Sequence, residues 1–233
     1  MGEHRVVNTE EWLAARTELL HREKEFTHLR DELSQQRRDL PWTAVTKNYT
    51  FTDARGTRTL TELFAGRSQL IVYHFMYPPS WDDGCPSCSF WADNFDGIPV
   101  HLNHRDVSFI AISRSPYEKI AAYRDRMGWS FDWVSSSGSD FNYDFGVSFT
   151  SEQIANKAAV YNYVTQDPGV EDREGVSVFV RDDAGSVFHS YSAYARGIDM
   201  LNGAYNYLDL VPKGRDEAGD DFTQFWVRRH DEY

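Results

Sequence analysis

The sequence predicts an α/β fold in which a central mixed sheet is flanked by helices, with a helical extension at the N-terminus and a tail at the C-terminus. Three stretches carry that reading. Residues 69–77, QLIVYHFMY, form a nearly continuous apolar run rich in β-branched and aromatic side chains, as a strand covered on both faces requires. From residue 49 onward, short strand patterns alternate with helical ones, the order of a layered α/β structure. Further on, VSVFVRDDAGSVFHSYSAY reads as two antiparallel strands joined by a turn at Asp183-Ala184-Gly185.

The elements follow in chain order. Residues 9–38 read as a long amphipathic helix, with Trp12, Leu19, Phe26 and Leu33 at heptad spacing and Leu20 and Leu29 widening the stripe. Asn8 and Glu11 form a capping box, and Pro41 ends the run. The stripe is expected to lie on the body of the protein. A dimer-forming helix, and so a possible homodimer, is the alternative, although Arg22 interrupts the seam. YTFTDARGTRTLTELF gives a strand, a turn at Arg55-Gly56 and a short helix ending near Gly66. After the 69–77 strand come a helix to about Phe95, a break at Gly97-Ile98-Pro99, the strand VSFIAIS and a helix from Pro116 to Met127. Phe141, Tyr143, Phe145, Val147 and Phe149 alternate with small or polar residues, the pattern of a half-buried strand. A last helix is expected over about residues 198–210, before Pro212, and the aromatic-rich end of the tail is expected to dock. The domain limits read as 1–44 for the extension, 45–211 for the body with an aromatic insertion near 140–165, and 212–233 for the tail.

Composition narrows the function. With 233 residues, 41% of them hydrophobic, the chain can bury one substantial core. A net charge of −12 argues against nucleic acid or an anionic membrane as a partner. No apolar run matches a membrane span or a secretory signal, so a cytoplasmic location is expected. The only two cysteines, Cys85 and Cys88, sit three residues apart, and in a reducing compartment such a pair points to redox chemistry or to metal.

Their setting is a strand, a short loop and then C-P-S-C opening a helix. Pro86 suits the first helical position, which makes Cys85 the cap and places its sulfur beside unpaired backbone N–H groups that favour the thiolate. Cys88 lies one turn deeper on the same side, placed to attack a mixed disulfide formed at Cys85. Asp82 and Asp83 oppose thiolate formation, and no histidine separates the cysteines. A dithiol whose thiolate is not specially stabilised belongs at the reducing end of the scale.

The order of elements around this motif resembles the thioredoxin fold, and GTRTLTELFAGRSQLIVYHFMYPPSWDDGCPSCSFW resembles the opening of its peroxiredoxin-like branch. GCPSCSFWADNFDG, FHSYSAYARG, DLVPKGRDE and RRHDEY together resemble a bacterial thioredoxin-like family of unknown function, described as predicted dithiol-disulfide oxidoreductases. The resemblance implies thiol–disulfide exchange through Cys85 and Cys88 with no organic cofactor, on a protein or small-molecule disulfide, with an external electron donor or acceptor. The chain departs from the related patterns in three places. Gly84 stands where thioredoxin has Trp, Gly175-Val176 where it has a cis proline, and Asp82 where peroxiredoxins have Thr, although Pro78 keeps their proline spacing. Substrate pairing along that edge and peroxide reduction are therefore the weaker expectations.

Two rival readings remain. Cys85, Cys88, His101 and His104 have the donors of a zinc site, but the histidine spacing is too short. A non-catalytic interaction module is the other, with Pro86 and the aspartates arguing against full burial of the thiols. Trp81, Asp82, Asp83, Pro86, Arg173 and His189 are candidates for tuning or docking, His189 being read first as a satisfied core residue. Tyr191, Tyr194 and Arg196 read as a packed corner, Trp91 as a flanking aromatic, and His230 with Asp231 as a charge pair.

Overall fold

The computed structural model describes residues 4–219 and 222–233. The expected extension and tail include residues 1–3 and 220–221, which lie outside the described residues. The chain divides into two units, Met1–Pro41 and Trp42–Tyr233. The first is α1 (Thr9–Arg38) with its flanking residues. Asn8 caps it, Oδ1 accepting from the Glu11 N–H at 2.9 Å, and acidic residues in the first turn and basic ones in the last complement its dipole. Within this unit none of the helix's side chains is buried.

In the second unit the chain forms β1 (Thr43–Ala44), β2 (Thr50–Asp53), β3 (Gly56–Thr59), α2 (Leu60–Leu63), β4 (Gln69–His74) and α3 (Pro86–Ala92). Next come α4 (Ile98–Asn103), β5 (Val107–Ser113), α5 (Tyr117–Arg126), β6 (Trp133–Ser135), α6 (Phe141–Asp144) and α7 (Ser151–Ala155). The chain closes with β7 (Ala159–Tyr161), β8 (Val164–Gln166), β9 (Gly175–Arg181), β10 (Val187–Tyr194), a 3-10 segment (Ala195–Leu201), α8 (Gly203–Leu208) and a 3-10 turn (His230–Glu232). Eight strands make one mixed sheet in the order β1-β10-β9-β4-β5-β6-β2-β3, and β7 with β8 forms a separate hairpin. β4 is parallel to β5 and antiparallel to β9, and β9 is antiparallel to β10. This is the thioredoxin-like arrangement, with the strand that delivers the cysteines at its centre.

Strand periodicity explains why β4 carries apolar or aromatic residues on both faces from Leu70 to Tyr73. Leu70 and Val72 enter one core with Ile110, Ile112 and Phe179, while Tyr73 enters the other with Cys85, Cys88 and Trp91, and Ile71 packs beside it. No helix among the described residues is long and apolar enough to cross a membrane.

Several expected elements change. The alternating run from Phe141 to Phe149 is not a strand: it begins as α6, because Phe141 and Phe145, four residues apart, stack at 4.7 Å and meet Phe179 together. Val147 and Phe149 leave that cluster for a third one with Ala159, Tyr161 and Tyr194. Gly97, in the left-handed region at φ 82, does not merely break the chain but turns it into α4, which accepts Pro99 in its first turn. The helix expected over 198–210 is split, a 3-10 segment passing to α8 at Asn202, whose side chain caps the new helix by accepting from Tyr205 N–H at 3.1 Å. The tail packs through Val227, which is buried, and through Glu217, whose Oε1 accepts from the Tyr205 hydroxyl at 2.7 Å and the Trp226 indole at 2.9 Å.

Candidate active site

Cys85 is the N-cap of α3 and Pro86 its first residue, the arrangement that the spacing predicts. Both cysteines are free thiols, and both are buried, Cys85 at 8% exposure and Cys88 at 1%. The expectation that Pro86 and the aspartates would hold the thiols open is thus corrected. The chain leaving β4 folds back over α3, where Cys85 N–H donates to the Met76 carbonyl at 3.2 Å and Met76 N–H donates to Cys88 Sγ at 3.4 Å.

The two thiols are electrostatically unequal. A hydrogen bond from the Cys88 thiol lowers the Cys85 pKa below its ordinary value, helped by the backbone N–H groups of Cys88 and Ser87, while burial and the charge of Glu174 oppose it. Burial chiefly, then the interaction with Cys85 and the charge of Glu174, raises the Cys88 thiol well above its ordinary value. The pair thus holds one acidic sulfur and one reluctant one.

A cavity of 350 Å³ opens over these sulfurs. Tyr73 and Met76 line it from the end of β4, Arg173 and Glu174 from the turn into β9, Arg196 and Asp199 from the 3-10 segment, and residues 222–224 from the tail. Tyr73 is fully buried, and its hydroxyl has no hydrogen-bond partner among the described residues. Burial and the nearby Cys88 push the phenol well above its ordinary pKa, so it is a neutral donor. The Arg173–Glu174 segment is anchored from the insertion. Arg173 N–H donates to the Val147 carbonyl at 2.8 Å, and the buried Asp172 accepts from Arg114 Nε and Ser148 Oγ, each at 2.7 Å.

Of the sequence-derived candidates, the structure brings Cys85, Cys88 and Arg173 to one cavity. Asp82 and Asp83 face away from the cavity lining. The Asp82 side chain is exposed, and Asp83 pairs with Arg126 at 3.1 Å and Arg229 at 3.9 Å; the carboxylate whose field reaches both sulfurs is Glu174. Trp81 packs at the edge of the core, its carbonyl accepting from Lys119. His189 faces the opposite core, where its Nε2 meets Ser192 Oγ at 2.7 Å and its ring lies against Phe145 and Phe179. His230 pairs with Asp93 at 2.7 Å and Asp231 with Arg126 at 2.7 Å, so they do not pair with each other. His101 and His104, on α4 and at its cap, are exposed, and no group of three or more His, Cys, Asp or Glu among the described residues could hold a metal ion.

The terminal block RRHDEY wraps the start of α3. Arg229 Nη2 donates to the Gly84 carbonyl at 2.9 Å and Nε to the Tyr123 hydroxyl at 3.0 Å. That hydroxyl shares a hydrogen bond with Ser89 at 2.8 Å, and Ser89 Oγ donates to the Cys85 carbonyl at 2.9 Å. Gly84 explains its own identity: a Cβ there would fall 2.7 Å from the Tyr123 ring and 2.8 Å from that of Phe75. No tryptophan fits at this place. Sequence reading missed Tyr73, Glu174, Asp199 and Arg229 at the site. For Tyr73 a signal existed, since strand parity in β4 separates it from Leu70 and Val72 and directs it to the other face.

Fold and site together define a thioredoxin-like protein with a dithiol at a helix start. The chain belongs to the family described as "Bacterial protein of unknown function (DUF899)", whose model matches residues 1–233. No curated protein matches it. Among solved structures it is similar to peroxidoxin BcpB from Mycobacterium tuberculosis, at 15% identity over 70% of this chain and 93% of that one, with a TM-score of 0.46. It is also similar to peroxiredoxin Q from Xanthomonas campestris, at 14% identity over 71% and 94%, TM-score 0.48. The mitochondrial 2-Cys peroxiredoxin from Plasmodium falciparum matches at 13% identity over 76% and 95%, TM-score 0.39.

Proposed function

We propose that this protein carries out thiol–disulfide exchange, with Cys85 as the nucleophile and Cys88 as the resolving thiol, in the direction that reduces the substrate. The observation that carries the reading is the pairing of unequal thiols at the floor of a cavity: an acidified Cys85 at the cap of α3, and Cys88, kept protonated by burial, one turn on. Cys85 thiolate attacks one sulfur of a disulfide and expels the other as thiolate. Cys88 then loses its proton, attacks the Cys85 sulfur and expels the second thiolate, leaving a Cys85–Cys88 disulfide that an external dithiol reduces again. The acidified Cys85 by itself favours the reduced form of the pair, and Glu174, whose negative charge disfavours thiolate at both sulfurs, offsets part of that and leans the pair toward the reducing direction. A reducing compartment, the cytosol, suits this cycle.

Peroxide reduction is the second reading, favoured by the Arg173 guanidinium and the Tyr73 hydroxyl beside the thiols. The position of the peroxiredoxin threonine gives it no support, because Asp82 turns to solvent.

The test is intact-mass spectrometry of reduced variants mixed with hydroxyethyl disulfide. Cys88→Ser accumulates one stable adduct on Cys85, Cys85→Ser accumulates none, and the unmodified chain passes on to the internal disulfide, two hydrogens lighter. Equal adducts on both variants would refute the assignment of roles. A parallel reaction with hydrogen peroxide that oxidises Cys85 faster than any disulfide makes the second reading the better one.

A further inference from the structure

We propose that the cavity over Cys85 selects a low-molecular-weight disulfide of the zwitterionic, amino-acid type and excludes disulfides within folded proteins. The inference rests on the dithiol reading above and deepens it.

Access is the starting point. With Cys85 at 8% exposure, the sulfur is reached through the 350 Å³ cavity and not from a flat docking face. An extended protein segment would need main-chain partners beside the start of β9, and the carbonyl there is taken. The Tyr161 hydroxyl donates to the Glu174 carbonyl at 2.9 Å and itself accepts from Ala195 N–H at 3.0 Å. Tyr161 belongs to the β7–β8 hairpin, which thus occupies the main-chain acceptor ahead of β9, a strand already paired on both sides by β4 and β10, while residues 222–224 of the tail form another wall. The volume that remains lies toward the low end of small-ligand sites, about 300–1,000 Å³.

The lining charges come as two mixed pairs. Arg173 and Glu174 enter from the strand side, and Arg196 and Asp199, 3.5 Å apart, enter from the 3-10 segment, Asp199 Oδ2 also accepting from Arg215 Nη1 at 2.9 Å behind the wall. Arg173 is held in place by donation from Nε to the Pro168 carbonyl at 2.8 Å and by the Tyr161 ring, 5.9 Å from the guanidinium. A ligand of one sign meets repulsion as often as attraction on such a wall. A zwitterion has a carboxylate for the guanidinium groups and an ammonium for the carboxylates.

At the floor, the Tyr73 hydroxyl, which has no hydrogen-bond partner among the described residues, supplies a neutral donor beside the sulfurs. When Cys85 bonds to one half of the disulfide, the other half leaves as a thiolate that takes a proton from water, with the Tyr73 O–H placed to hydrogen-bond a sulfur as its charge develops. The second half leaves when Cys88 closes the internal disulfide. Two electrons pass from the dithiol to the substrate, giving two equivalents of the small thiol.

The experiment is single-turnover oxidation of the reduced protein, followed by intrinsic tryptophan fluorescence because Trp91 lines the cavity. The probes are cystine, cystamine, dithiodipropionate, hydroxyethyl disulfide and insulin. Each rate constant is divided by that of a free monothiol with the same probe, to remove intrinsic reactivity. Cystine is expected to exceed hydroxyethyl disulfide about tenfold, the scale of a charge-assisted hydrogen bond, with the probes of one sign, cystamine and dithiodipropionate, between them and insulin slowest. Arg173→Gln and, independently, the surface variant Arg196→Gln should compress the ratio of cystine to hydroxyethyl disulfide. If insulin or the neutral probe keeps pace with cystine, the selectivity proposal is overturned while the dithiol reading stands. If no disulfide oxidises the pair, the dithiol reading itself fails.

Discussion

β4 places adjacent residues on opposite faces of the sheet, and the two faces treat their polar groups differently. On one, Tyr73 is fully buried beside Cys88, with a hydroxyl that has no partner and lines a cavity. On the other, His74 is equally buried, but its Nε2 meets Ser177 Oγ at 2.8 Å, Ser177 meets Ser192 at 2.8 Å, and Ser192 meets His189 at 2.7 Å. The serine chain takes up one nitrogen of His74, the other, Nδ1, has no partner either, and aromatic rings of Phe141 and Phe145 close over it. Buried polarity alone therefore does not mark a site. Each face keeps one unpartnered atom, and what separates the thiol face is the cavity that reaches the Tyr73 hydroxyl and the two sulfurs.

The largest effect that should sharpen this contrast comes from acid. Burial lowers the His74 pKa from its ordinary value to about 3, so the unfolded chain takes up a proton before the folded one does. Stability should then fall as the pH drops below about 6.5 and keep falling toward 3, by roughly 1 kcal/mol per pH unit. Urea denaturation at pH 7 and pH 4.5 measures it, and His74→Gln should flatten the difference. A slope unchanged by that substitution would mean that His74 is not the group responsible.

Next in size is Gly84→Ala, which drives a Cβ into the rings of Tyr123 and Phe75. A loss of about 1–3 kcal/mol in denaturation is expected, the usual cost of overpacking. Thermal and urea melts that match the unmodified chain would show that the Tyr123 and Phe75 rings yield easily. Glu174→Gln addresses the thiols directly. Removing the charge that disfavours both thiolates should raise the iodoacetamide rate of Cys85 at neutral pH about threefold and shift its pH midpoint downward. The smallest effect should belong to Asp82→Asn, less than about twofold in the same assay, since an exposed charge is screened by solvent. A larger change for Asp82 than for Glu174 would reverse the ranking of the two acids.

That ranking shows where sequence reading reached and where it stopped. Asp82 and Asp83 stand beside Cys85 in the chain, yet Asp83 is drawn away by Arg126, 43 positions from it, and by Arg229, 145 positions from Gly84. Glu174 is nearly ninety residues from the cysteines and reaches them because β9 pairs with β4, its first residue Gly175 opposite His74. The aromatic run from Phe141 misled for a related reason. Alternation is a strand signal only where a neighbouring strand takes up both edges, and here Phe179 offers a compact apolar surface that Phe141 and Phe145 satisfy together from one helical turn.

The sequence by itself determined what local geometry controls. A proline at the first helical position set Cys85 as the cap and Cys88 one turn on, Asn8 set the start of α1, and the β-branched and aromatic residues of β4 required cover on both faces. Tertiary structure alone decided which charges the thiols feel, that both sulfurs are buried, and that Tyr161 and the tail leave only a small chamber above them. The physical reason is range. Helix starts and strand faces are settled by residues within a turn or two, whereas burial and electrostatic fields depend on segments that meet only once the sheet has formed.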